Sequence, residues 1–197
     1  MRHHLLRMHE AVLRSAPIRP GDKILYVGCD SEAFTPEMVE QLGRSRQLVA
    51  VDLASTPLAR AERLMQIAPR KNMLFLKLPN EQVPFPDGYF DMVIAFGSRT
   101  RLSHTEAILD ELGRVLKSDG RIYWHDVGPG RLKSLWHHLF SLFHRQTKAS
   151  RWEDMRGPMT RAFTIEFYRR WTHTWGKQSC LLVGRKGTVT KETAPPN

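Results

Sequence analysis

Two short stretches of this chain carry residues able to hold a nucleotide-like ligand. In QLVAVD an apolar run closes on Asp52, and an acid at the carboxyl end of a strand can accept hydrogen bonds from both hydroxyls of a ribose. The plainer reading of Asp52 is an acid that caps the loop and helix after a strand. In ILYVGCDSEAFTPEMV an apolar run meets Gly28 and then a helix that starts near Pro36, with Thr35 as its N-cap. Glycine in such a loop permits positive φ and close approach of a ligand to the backbone. The loop then departs from glycine: Asp30 tolerates the left-handed region, whereas Glu32 adds bulk and a negative charge.

A second group lies after the later apolar runs. Arg99, Arg101 and His104, in GSRTRLSH, can bind an anionic substrate and accept a proton; solvated loop side chains are the bland alternative. His125 and Asp126 follow RIYW as an acid–base candidate. Neighbours on a strand point to opposite faces, which argues against a direct dyad. Cys29 reads as a small packed residue, since nothing near it in sequence would activate a thiol. No G-x-G-x-x-G and no Walker loop is present, so nicotinamide chemistry and phosphoryl transfer find no support.

The elements that must position these residues alternate in type. After a first helix over 2–15 come the strands KILYVG, QLVAVD, NMLFLKL, DMVIAF and RIYWHD, with helical stretches between them. SHTEAILDELGRVLK has the clearest helix start, because Ser103 and Glu106 have capping-box spacing. Its apolar face is Ile108, Leu109, Leu112, Val115 and Leu116. Short apolar strands between amphipathic helices predict an α/β domain around a parallel sheet.

Composition bounds the rest. The 197 residues suit one domain with a proper core, and 41% hydrophobic and 25% charged residues are ordinary globular values. No apolar run reaches a membrane span, and the first residues lack a signal peptide's apolar centre. Two cysteines, Cys29 and Cys180, make neither a disulfide framework nor a metal cluster. A reducing cytoplasm is the expected location. The net charge of +10 is unevenly placed: residues 1–130 carry 17 Lys/Arg against 16 Asp/Glu, and residues 131–197 carry 13 against 4. Four of the five tryptophans also lie in that last third, which predicts an anionic partner there.

The segment RLKSLWHHLFSLFHR (131–145) places Leu132, Leu135, Trp136, Leu139, Phe140 and Phe143 on one helical face. Basic and histidine residues hold the other face, without an acid. Three readings stay open: a helix in an anionic membrane interface, a lid over a hydrophobic pocket, and a helix packed on the core. The later RAFTIEFYRRWTHTW combines Arg and Trp and can stack on single-stranded nucleic acid, a reading ranked third for want of any RNA-binding module.

Taken in order, GDKILYVGC, VAVDLASTPLARA, VPFPDGYFDMVIAF and ILDELGRVLKSDGRIYWHD resemble the class I S-adenosylmethionine-dependent methyltransferases, especially the small-molecule branch. The likeness runs from about Gly21 to Asp126, with an echo in SCLLVGRKG. It implies a Rossmann-like open, mostly parallel seven-stranded sheet with helices on both faces, the last strand antiparallel. The expected organisation is one domain over 1–186, with an N-terminal helix in 1–20 and a basic aromatic cap over 131–175, then a disordered tail, 187–197.

The resemblance implies S-adenosylmethionine as cofactor and no metal. Asp52 would hold the ribose and Leu53 would line the adenine pocket. Asn80 and Glu81 would edge the adenine, and Gly28, with Cys29 and Asp30, would face the methionine part. Phe96 joins this set. Three departures accompany the likeness: Tyr26 stands where the family has an acid, Asp30 and Glu32 replace the second and third glycines, and Pro79 replaces an Asp beside Asn80. The expected function is methyl transfer to a small, hydrophobic or anionic acceptor, with no catalytic residue assigned. The alternative is a catalytically degenerate binding module that meets a partner or membrane through its C-terminal third. Partners are a small-molecule substrate and an anionic membrane surface through 131–145.

Overall fold

Alternating burial organises the sheet. In β1 (Lys23–Val27), Ile24 and Tyr26 enter one core cluster while Leu25 and Val27 enter the other. β2 (Gln47–Asp52) and β4 (Phe90–Phe96) repeat the pattern, with Leu48, Ala50, Met92, Ile94 and Phe96 on the first face and Val49, Val51, Val93 and Ala95 on the second. Strands buried on both faces read as unbroken apolar runs, which is why these segments were legible. The remaining strands are β3 (Met73–Lys77), β5 (Leu116–Gly128), β6 (Thr164–Thr172) and β7 (Gln178–Arg185). Their order is β3-β2-β1-β4-β5-β7-β6. The first five pair in parallel, while β7 is antiparallel to both β5 and β6. This is the expected open α/β sheet.

The computed structural model describes residues 16–28, 40, 42, 45, 47–53, 59, 63, 72–80, 82–96, 105–128, 152–172 and 178–187. The expected helix at 2–15, the segment 131–145 and the tail 188–197 lie outside the described residues. Glu40, Leu42, Ala59 and Arg63 have helical backbone, as the pattern of their two segments predicts.

Two described helices cover the second face. Helix α1 (Thr105–Val115) buries Ile108, Leu109, Leu112 and Val115 completely or nearly so, the predicted apolar face. Helix α2 (Trp152–Ala162) carries Pro158 within it and adds Met159, followed by Phe163, to the same core. Ser103 of the expected capping box lies outside the described residues, and the Glu106 carboxylate accepts from Arg161 of α2. The strand expected at RIYWHD is longer than its apolar run: Leu116 pairs with Phe90, Arg121 pairs with Met92, and residues 117–120 bulge between them. RAFTIEFYRRWTHTW, read above for its Arg and Trp, supplies edge strand β6.

The loop after β3 is held by α1. The Val83 amide donates to Glu111 Oε1 at 2.8 Å. Arg114 donates to the carbonyls of Phe85 at 2.9 Å and Val83 at 3.0 Å, and to Asp87 at 2.7 Å. Glu111 completes the clamp, accepting from Arg114 Nε at 2.8 Å. Gly88, at φ 62°, turns the chain back toward β4, and its amide donates to the Arg114 carbonyl at 2.9 Å. The Arg114 hydrogen bond holds the Glu111 carboxyl below its ordinary value, against the opposing effect of burial.

A carboxyl depressed in the folded state stabilises the fold fully above its unfolded pKa, and loses that contribution as pH falls through the folded value. Glu111→Gln therefore flattens the acid limb of a stability–pH profile below about pH 4.5, the carboxyl's ordinary value. Arg114→Met, which strips donors from two carbonyls and leaves Glu111 without its cation, costs about 2–3 kcal/mol in urea unfolding, allowing for its partial exposure. An unchanged midpoint would show that the loop holds itself.

Candidate cofactor site at the strand ends

Strand register assembles the site. Val27 pairs with Val51 in β2 and with Ala95 in β4, so the next residues, Asp52, Gly28 and Phe96, share one level at the carboxyl ends. Phe96 pairs with His125, His125 with Leu181, and Leu181 with Arg169. One row thus runs Asp52, Gly28, Phe96, His125, Leu181, Arg169. At ordinary strand spacing, Asp52 and His125 are about 14 Å apart along it. The row crosses the point where β2 leaves β1 on one side and β4 adjoins it on the other, the switch point at which open α/β sheets bind ligands.

Gly28 has φ 88°, a conformation any side chain would strain, and its amide donates to the Val51 carbonyl at 3.0 Å. The end of β1 is thereby tied to β2 beside Asp52. Asp52 ends β2 half-buried, and its carbonyl accepts from the Leu78 amide at 2.9 Å, which aims the loop after β3 along the same edge. Leu53 is half-buried against the second core cluster. In that loop the exposed Asn80 accepts the Gln82 amide through Oδ1 at 3.0 Å. Its amide nitrogen is consequently the end aimed away from the turn.

Other members of the predicted set are differently placed. Phe96 is 3% exposed and packs its ring on Tyr26 at 5.3 Å and on His125 at 5.8 Å. Its side chain belongs to the first core face, so what it presents at the strand end is chiefly backbone. Cys29, Asp30, Glu81, Arg99, Arg101 and His104 lie outside the described residues. His125 is 1% exposed, and Asp126 follows it in the strand, in register with Cys180. Cys180 is buried and forms no disulfide among the described residues.

The aromatic row of Tyr26, Phe96 and His125 escaped the sequence reading. Each residue was visible at the end of its own run, but nothing in the sequence says that β4 lies between β1 and β5. The same holds for Arg114 and Glu111, since nothing in the sequence says that their helix meets the loop after β3. Among the described residues no group of three or more His, Cys, Asp or Glu side chains converges in a metal-like cluster. No described helix is long and apolar enough to cross a membrane.

Comparison with known proteins agrees with this architecture. The chain is 33% identical over 107 residues to the ubiquinone/menaquinone biosynthesis C-methyltransferase UbiE of Ectopseudomonas mendocina, a match covering 53% of this chain and 41% of that protein. The chain spans less than half the length of the curated relatives it matches. Among solved structures, geranyl diphosphate C-methyltransferase from Streptomyces coelicolor A3(2), in complex with magnesium, geranyl diphosphate and S-adenosyl-L-homocysteine, superposes with a TM-score of 0.71 at 15% identity, over 91% of this chain and 80% of that one. The cyclase SpnF superposes with a TM-score of 0.69 at 15% identity, over 92% and 80%. At such identities the likeness is one of fold, and a cyclase among the neighbours shows that the fold alone does not dictate the reaction. Residues 25–124, from within β1 to Trp124 of β5, match the methyltransferase domain family, to which this chain belongs.

Proposed function

We propose that the protein transfers a methyl group from S-adenosylmethionine to a small acceptor. The observation that carries this reading is Gly28, at φ 88°, held by its amide on the Val51 carbonyl beside Asp52 at the switch point of a methyltransferase-family sheet. The residues present fit the cofactor. Gly28 leaves room for close backbone approach, the Asp52 carboxylate suits two ribose hydroxyls, and Leu53 offers an apolar wall. Asn80 keeps its amide nitrogen turned out of its own turn and suits an acceptor nitrogen of adenine. When bound, S-adenosylmethionine supplies an electrophilic methyl group on a sulfonium.

The protein's part is to hold an acceptor in line with that methyl group, which lowers the entropic share of the barrier. The place for it is beside Phe96, at the end of β4, and His125 in β5. An apolar or anionic acceptor suits the surroundings: arginines at 99 and 101 adjoin β4, and the chain beyond residue 130 is strongly basic. The relatives named for quinone and prenyl diphosphate methylation act on acceptors of this general character, which supports the reading.

A second reading has its own observation. Tyr26, wholly buried, stands where the family carries an acid, and Asp30 and Glu32 add negative charge near the expected methionine carboxylate. Like charges in contact cost about 1–4 kcal/mol, depending on exposure. A chain so weakened would serve as a binding module, with 131–145 meeting an anionic membrane surface or an amphiphile.

Thermal unfolding separates the two. At a ligand concentration 100 times its dissociation constant, S-adenosylhomocysteine adds about 2.7 kcal/mol, a rise of about 5–10 °C in Tm for a chain of this size. Asp52→Ala abolishes most of that rise without lowering the Tm of the ligand-free protein by more than a few degrees. No rise at millimolar ligand would falsify the enzymatic reading. In the same assay Asp30→Gly, Glu32→Gly tightens binding by tenfold or more; unchanged binding in a folded double variant shows that these acids do not oppose the ligand.

A further inference from the structure

We propose that the carboxyl-terminal half of β6, Phe167 to Trp171, is a docking strip for an anionic lipid bilayer. The strip differs from the rest of the described sheet. β6 is an edge strand hydrogen-bonded within the sheet only to β7. Phe167 is 46% exposed and Tyr168 38%, two of the three exposed large hydrophobic side chains among the described residues. The exposed arginines 169 and 170 follow directly, and among the described residues neither is paired with an acid. Arg169 lies over the half-buried Trp171 ring at 5.4 Å.

The local charge is positive by construction. The sole acid of the strand, Glu166, accepts from Arg121 at 2.9 Å and from Arg185 at 2.6 Å, so two cations already answer one anion. The first of these bonds, with burial opposing and Arg185 assisting, holds the Glu166 carboxyl below its ordinary range, so it stays ionised and occupied. A surface of exposed aromatics beside uncompensated arginines complements anionic head groups, with the aromatic rings at the level where a bilayer is both wet and apolar. The open strand edge remains hydrated there, so its amides are not stranded in hydrocarbon.

The bilayer fits better than two other partners. Paired antiparallel with the two-fold axis between Arg169 and Arg170, a second copy would set each Arg169 opposite the other copy's Arg170, where like charges repel. Single-stranded nucleic acid needs rings stacked on one platform. Phe167 pairs with Val183 of the first core face and Tyr168 with Leu182 of the second, so the two exposed rings point to opposite sides of the sheet.

Register gives the strip its use. β6 runs parallel to β5, because each is antiparallel to β7, and Arg169 shares the row of His125, Phe96, Gly28 and Asp52. A bilayer held at this edge lies level with the end of the sheet that carries the candidate site, which suits an acceptor drawn from the lipid phase. The docking itself uses none of the residues assigned to the cofactor, and it rests on β6 rather than on 131–145.

The test is co-sedimentation of the full chain with phosphatidylcholine vesicles, with or without phosphatidylglycerol. Binding is expected to the anionic vesicles and to be weak on phosphatidylcholine alone. Arg169→Gln, Arg170→Gln lowers partitioning about tenfold to thirtyfold, the effect of two charges near an anionic surface. Phe167→Ser, Tyr168→Ser lowers it while salt sensitivity remains. Leu74→Ser, on the exposed β3 edge, leaves it unchanged, and all three variants keep the Tm shift with S-adenosylhomocysteine if the wild type has one. The proposal is overturned by absent binding to anionic vesicles, by loss only when Trp136 and Phe140 are replaced, by a dimer that the β6 variants dissociate, or by oligo(dT) binding through the same arginines in place of lipid. A missing cofactor shift with intact vesicle binding overturns the enzymatic reading and leaves this one standing.

Discussion

The parallel pairing of β1 between β2 and β4 is the constraint on which the rest depends. Parallel strands cannot be joined by tight turns, so each must be followed by a crossover that packs on a face of the sheet. Both faces of β1 are then filled, and Ile24, Leu25 and Tyr26 are wholly buried. Chemistry is left only the strand ends. Gly28, at φ 88°, turns the chain at the end of β1 without strain.

The same pairing sets the spacing of everything nearby. Once Val27 is aligned with Val51 and Ala95, the positions of Asp52 and Phe96 relative to Gly28 follow from the strand repeat. The loop after β3 requires a separate device, since edge strand β3 constrains it from one side only. Arg114 and Glu111 provide it by satisfying Val83 and Phe85 backbone groups that the sheet does not reach. At the opposite end, Asp91 accepts from the Lys23 amide at 2.9 Å and from Lys117, tying the starts of β1 and β5 to β4. Burial pushes the Asp91 carboxyl up, but these donors outweigh it and hold the carboxyl below its ordinary range. These contacts tie the starts of the three strands together.

Charge divides the molecule along another axis. The body up to residue 130 is nearly balanced, whereas the remainder carries the excess of Lys and Arg. In the sheet this places the acid end of the row, Asp52, toward β3 and the arginine end, Arg169, at the β6 edge. A sulfonium cofactor and an anionic or membrane-borne acceptor would thus approach from sides of matching polarity.

The sequence by itself determined the fold class, five of the strands, the buried face of α1 and the placement of Gly28 and Asp52 at strand ends. These were legible because their signals are local: apolar runs for strands buried on both faces, a helical period for α1, and a glycine or an acid at a run's end. Tertiary structure alone decided that Tyr26, Phe96 and His125 form one aromatic row, since sequence carries no record that β4 lies beside β1. It alone decided that Arg114 reaches a loop some thirty residues earlier, with Val83 at a separation of 31. It also decided that TIEFYRRWT is an edge strand. That segment alternates imperfectly around the irregularity between Ile165 and Phe167, which puts neighbouring side chains on one face and erases the period-two signal. Its place beside β7 at the end of the sheet is a fact of strand order that no stretch of the chain encodes locally.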